Sequence, residues 1–88
     1  MPNPEQQALY DAFYRSTHNN QHLDQQTELL IGLAVAIALD CQPCSRYYLN
    51  QAKQAGLAKE QLAEVQAKVM AVAAGQKRLQ SQALLDNY

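Results

Sequence analysis

Tryptophan is missing from this 88-residue chain, and phenylalanine appears once. A core must therefore be built largely from aliphatic residues, and a chain this short buries a smaller fraction of its unfolded surface than a longer one. Ordering costs roughly 1.5 kcal/mol per residue, about 130 kcal/mol for the chain, which burial must offset. Association of several copies into a homo-oligomer is the expected remedy. An excess of charge is missing too. The net charge of -1 and the scattered Lys and Arg leave no basic face, which excludes nucleic acid and an anionic membrane as partners. No basic, apolar, small-residue leader opens the chain, and its longest apolar run is about half the roughly 20 residues that a membrane span requires. A single cytoplasmic domain over residues 1–88 is expected. Strand alternation and internal repeats are also lacking, so the fold class is all-α, with about five helices.

Cysteine is scarce as well, and its placement organises the rest. The only two lie at Cys41 and Cys44, directly after the apolar run Leu29 to Leu39. A Cys-x-x-Cys pair can close a small disulfide ring, supply half of a tetrahedral zinc site, or be two small buried residues that happen to lie three apart. Pro43 suits the first turn of a helix, where its missing N–H would have no partner. Cys44 then falls inside that first turn, where unpaired N–H groups and the helix dipole stabilise a thiolate, and Arg46 adds a cation close by. A reducing compartment favours a redox or metal role for such a pair over a structural staple.

Helix signals run along the chain in order. Asn3-Pro4-Glu5-Gln6 reads as a cap, a first helical residue and a capping-box partner, opening a helix to about Ser16. Its apolar Leu9, Tyr10, Phe13 and Tyr14 form one stripe that must pack on something. Residues 17–22 read as a loop. His18 and His22 have the spacing of two ligands on one helical face, yet Asn19 and Asn20 between them argue against a helix, so both read as solvated. Asp24 caps a second helix, Gln25 to about Leu39, which is apolar on every face beyond Glu28 and must be surrounded by protein. Glu28 reads first as an acid in the first turn, favoured by the dipole. A third helix spans Pro43 to Ala55, with Gly56 as its left-handed end. A fourth covers residues 58–73, the small-residue stretch Ala71 to Gly75 allows close helix contact or a break, and Gln76 to Asp86 has enough helix formers for a final helix, continuous with the fourth or separate from it.

Antiparallel packing of the second and third helices sets which residues can meet. At about 1.5 Å of rise per residue, Glu28 lies about 20 Å back from Cys41 and Tyr48 about 10 Å down the returning helix. The Tyr48 hydroxyl is thus expected to reach toward Glu28, while Cys41, Cys44 and Tyr48 share a face. Glu28, Tyr48 and both cysteines would then line one slot.

The segment Leu23-Asp24-Gln25-Gln26-Thr27-Glu28-Leu29-Leu30, the apolar helix, and Cys41-Gln42-Pro43-Cys44-Ser45-Arg46-Tyr47-Tyr48 together resemble the alkylhydroperoxidase D and carboxymuconolactone decarboxylase superfamily. The likeness extends from about Leu23 to Leu85. It implies a helical fold whose subunits interlock as dimers, trimers or hexamers, and no cofactor. It also implies that Cys44 attacks a peroxide, that Cys41 resolves the sulfenate, and that Glu28 relays a proton. One departure is Tyr48, where the redox branch of the family usually carries histidine. A phenol with a reference pKa near 10 donates or relays a hydrogen bond but is a poor base at neutral pH. The decarboxylase branch typically lacks the cysteine pair, so lactone decarboxylation is not expected. The resemblance implies a thiol oxidoreductase in antioxidant defence, a peroxiredoxin-type peroxidase or a disulfide reductase, served by a dithiol protein of lipoyl or thioredoxin type. A non-catalytic oligomeric helical module of the same family is the alternative, and zinc held by two cysteines from each of two subunits is a third.

Overall fold

Four helices carry the described part of the chain, residues 3–88 of this computed structural model: α1 (Pro4–Ser16), α2 (Gln25–Ala38), α3 (Gln42–Gln54) and α4 (Lys59–Asp86). No strand occurs among the described residues. Each start follows local chemistry. The Gln6 N–H donates to Asn3 Oδ1 at 2.9 Å and the Asn3 N–H to Gln6 Oε1 at 3.3 Å, a reciprocal capping box. Asp24 accepts the Thr27 N–H at 2.7 Å and so caps α2. Ala58 offers no side-chain acceptor to α4, but its own N–H donates to Gln61 Oε1 at 2.9 Å.

The corner between α2 and α3 is built from backbone hydrogen bonds. Asp40 adopts a left-handed φ of 56°, its N–H donates to the Ile37 carbonyl at 3.0 Å, and the Cys41 N–H donates to the Ala36 carbonyl at 3.0 Å. This pair of bonds closes a helix end in the Schellman manner, with Asp in the place usually held by Gly. Cys41 then serves as the N-cap of α3. The same residue therefore ends one helix and starts the next, which fixes it from both sides. Gly56, with φ of 77°, closes α3 in the same way, and Leu57 follows it into the core.

α2 is the central element and packs against both α3 and α4. Leu29, Leu33, Ala36 and Tyr48 form the core cluster, with Leu57, Leu62 and Val65 against it. The opposite face of α2 is open: Ile31, Val35 and Leu39 are exposed, the last at 74%. The expectation that α2 is enclosed on all sides is thus met on one side only within a single chain. α1 packs along none of the other helices, and the stripe Leu9, Tyr10 and Phe13 faces solvent, Leu9 at 67% exposure. The sequence reading had this stripe packed; no surface of the same chain reaches it.

The last two expected helices are one. α4 runs through Gly75 for 28 residues, about 42 Å at the standard rise. A helical glycine costs roughly 1 kcal/mol against alanine, and nothing packs within 4 Å of the Gly75 Cβ position to exploit a break there. The count is therefore four where the sequence suggests about five. Beyond Val69 the apolar side chains of α4, among them Met70, Val72, Leu79 and Leu84, are exposed. No helix among the described residues is long and apolar enough to cross a membrane.

Candidate functional site

The four residues singled out from the sequence share one cavity. Glu28, Cys41, Cys44 and Tyr48 all line a groove of about 500 Å³, floored by α2 and α3 and closed at one end by Tyr14, Thr17 and Asn20 from the end of α1 and the turn after it. Its remaining walls include Leu23, Ile31, Val35 and Leu39, which make it largely apolar. Such a space receives a small molecule with an apolar part and a few polar contacts.

Cys41 and Cys44 are joined as a disulfide, with Cα atoms 5.3 Å apart. The first turn of α3 sets their relation. The Cys44 N–H donates to Cys41 Sγ at 3.3 Å, and Ser45 Oγ donates to the Cys41 carbonyl at 2.8 Å. The amide donor that the sequence reading brings to Cys44 is therefore spent on the sulfur of Cys41. Arg46, expected as a nearby cation, is exposed and lies outside the cavity lining.

Tyr48 stands against Gly32. A Cβ at residue 32 would lie within 2.7 Å of Tyr48 Cδ1 and closer still to Cε1 and Cζ. The ring thus occupies the space that any other residue at 32 would fill, which explains a glycine in the middle of a buried helix. Only 8% of Tyr48 is exposed. Burial first, then the hydrogen-bonding Tyr14 side chain, then the negative charge of Glu28 and the neighbouring Tyr47, hold its hydroxyl well above the ordinary phenol range. It stays protonated at neutral pH and acts as a donor.

Glu28 has a partner that the sequence did not indicate. Its Oε1 lies 3.3 Å from His18 Nδ1, with the carboxylate side chain 14% and the imidazole side chain 25% exposed. Tyr48, the expected partner, makes no hydrogen bond to it among the described residues, although the Glu28 charge, after burial and Tyr14, is among the causes that raise the Tyr48 hydroxyl. His18 is not a free loop residue, because the backbone continues past Ser16 in turns, with the His18 N–H donating to the Arg15 carbonyl at 3.1 Å. Its ring then meets Tyr14 edge-on at 4.9 Å and Tyr47 at 6.1 Å. His22 is exposed and makes no such contact. Among the described residues no three His, Cys, Asp or Glu side chains converge as a metal ligand set.

Comparison with known proteins follows the same lines. The model of the carboxymuconolactone decarboxylase family matches residues 4–86. A crystal structure of a protein from Methanobacterium thermoautotrophicum is similar with a TM-score of 0.87 at 27% identity, over 93% of this chain and 92% of that one. No curated protein matches.

Proposed function

The chain belongs to the carboxymuconolactone decarboxylase family, and from that premise we propose that it is a thiol oxidoreductase whose Cys41–Cys44 pair reduces a peroxide. The observation that carries this reading is the disulfide at the wall of a largely apolar cavity that also holds a carboxylate. A pair that already meets the geometry of a disulfide can cycle between two states without moving the helices that carry it.

The Cys44 thiolate attacks the outer peroxide oxygen, so that an S–O bond forms, the O–O bond breaks, and the alkoxide or hydroxide leaves with a proton as alcohol or water. The Cys41 thiolate then attacks the Cys44 sulfenic sulfur, forming the disulfide and releasing water after protonation. A dithiol protein of lipoyl or thioredoxin type returns two electrons and two protons. Its first thiolate attacks the Cys44 sulfur and expels Cys41, whose departing charge the Cys44 N–H receives at 3.3 Å, and its second thiolate then attacks its own sulfur in the mixed disulfide and releases Cys44. Resolving thiol and leaving group are both roles that a stabilised thiolate fills well. Exchange with a disulfide substrate follows the same sulfur chemistry. The assay is peroxide consumption coupled to dihydrolipoamide or reduced thioredoxin. Wild type turns over and Cys44→Ser does not; equal rates in the two proteins refute the reading.

The working form is a homo-oligomer. The accessible surface is 7435 Å² for 9.8 kDa, against about 5,200 Å² for a compact folded chain of that mass. The radius of gyration is 16.8 Å, against about 12 Å for a compact domain of this length. Exposed stripes on α1, α2 and the far half of α4 make up much of the excess, and a second copy with the same stripes is a partner that can cover them. Light scattering is expected to give more than one subunit at micromolar concentration; a monodisperse monomer refutes this.

A further inference from the structure

The Cys44 N–H, one of the first-turn amides of α3, is taken up by Cys41 Sγ, so side chains around the groove bear more of the stabilisation of Cys44. Glu28 is the only ionisable carboxylate lining the cavity, and no Lys, Arg or His lines it. An uncompensated carboxylate there opposes a thiolate at Cys44, because two like charges in a partly desolvated space raise each other's energy. His18 is the one basic group in contact with Glu28, at 3.3 Å, and theirs is the only contact of a basic side chain with a carboxylate within 4 Å among the described residues. We propose that His18 is a positioning residue of the site, whose imidazole sets the charge and orientation of Glu28 and thereby the reactivity of Cys44.

Several features make His18 more than a surface contact. It is carried on the turn after α1 rather than on the helices that hold the cysteines, yet its ring is held between Tyr14 of α1 and Tyr47 of α3. Those two phenols and the Glu28 carboxylate of α2 are the titratable groups that face it. The aromatic contacts fix the plane of the ring, which leaves Nδ1 toward Glu28. A protonated imidazole neutralises the carboxylate while Cys44 is an anion. It can also return a proton through Glu28 and cavity water when the alkoxide leaves. The Tyr48 ring of α3 lies against Gly32 of α2, with Glu28 one turn from Gly32 on one side and Cys44 one turn from Tyr48 on the other. That places Glu28 and Cys44 about 11 Å apart along the groove, a distance that water or the substrate must bridge.

The proposal rests on the thiol-oxidoreductase reading, and its test separates the two. In the reduced protein, the rate of iodoacetamide alkylation at Cys44 is measured from pH 5.5 to 9 for wild type, His18→Asn, Glu28→Gln and the double variant, with peroxide turnover measured alongside. His18→Asn is expected to slow alkylation at pH 6.5 about tenfold, the effect of one uncompensated charge at this separation with an effective dielectric of about 20. It is also expected to slow turnover about tenfold and to change the shape of the turnover-against-pH profile. In the Glu28→Gln background the same substitution should change neither rate, since His18 acts through Glu28. His18→Phe keeps the ring contacts without the nitrogen and should behave like His18→Asn. Wild-type behaviour of either His18 variant, or an equal effect of His18→Asn with and without Glu28, overturns the proposal. Absence of turnover in wild type defeats the oxidoreductase reading alone, and the alkylation rates still decide the role of His18.

Discussion

Replacing Gly32 by alanine tests how Tyr48 is seated in the site. On helix propensity alone the substitution should stabilise, by about 1 kcal/mol in a helix interior. The structure reverses the sign. The new methyl would lie within 2.7 Å of Tyr48 Cδ1 and overlap Cε1 and Cζ. Tyr48 is 8% exposed and part of the core cluster, so its rigid ring can yield only toward the groove it lines, and it gives up core contacts in doing so. Overpacking of this kind costs typically 1–3 kcal/mol, and a net loss of up to about 2 kcal/mol is expected once the propensity gain of about 1 kcal/mol is subtracted. At fixed subunit concentration this lowers the thermal midpoint by roughly 4–8 °C per kcal/mol for a chain of this size. The same substitution made on a Tyr48→Ala background meets no ring and should stabilise by about 0.5–1 kcal/mol relative to that background. Thermal and urea unfolding of the four proteins, with the disulfide intact, gives both numbers. An alanine at 32 that stabilises in the wild-type background, or that has the same sign in both, would falsify the account of Gly32 as the seat of the Tyr48 ring.

Two further outcomes concern protonation. Tyr48 has a raised folded-state pKa, so the stability it contributes is complete below the unfolded-state value of about 10 and is lost as pH rises beyond it. Unfolding curves should show wild type losing stability above pH 10 more steeply than Tyr48→Phe, with at most about 1 kcal/mol between them at pH 7; parallel pH profiles contradict this. Asp24 has its pKa lowered by the Thr27 backbone N–H and then by the Thr27 side chain. Its contribution to α2 is therefore present above the ordinary carboxylate range and is lost as pH falls through the lowered value. Asp24→Asn should keep the helix cap while flattening the acid limb of stability, measured by circular dichroism between pH 2 and 5.

The helix ends were legible because their chemistry is local. Asn3 with Gln6, Asp24, Pro43 and Gly56 each act on backbone groups within four residues, and each stands where the sequence pattern puts it. The shared cavity of Glu28, Cys41, Cys44 and Tyr48 was legible for a related reason: two antiparallel helices joined by a tight corner leave little freedom in which residues face each other. Long-range partners were not. His18 and Glu28 are ten positions apart across a polar turn, and no periodicity links them, so His18 read as solvated. Tyr48 was expected to meet Glu28, but the turn after α1 brings His18 to the Glu28 carboxylate instead. Gly75 read as a possible break because glycine weakens a helix, yet a break forms only where tertiary contacts stabilise the alternative, and none approach it.

The chemistry assigned to the cysteine pair is tested most directly by a single turnover. Reduced wild type, Cys41→Ser and Cys44→Ser each receive one equivalent of an alkyl hydroperoxide, with dimedone present to trap sulfenic acid, and the products are mapped by mass spectrometry. Wild type should give the intramolecular Cys41–Cys44 disulfide with one alcohol per subunit. Cys41→Ser should carry the dimedone adduct on Cys44, and Cys44→Ser should react no faster than free cysteine. An adduct formed on Cys41 in Cys44→Ser at the wild-type rate, or wild-type oxidation no faster than free cysteine, would contradict the assignment of Cys44 as the thiol that takes the peroxide oxygen.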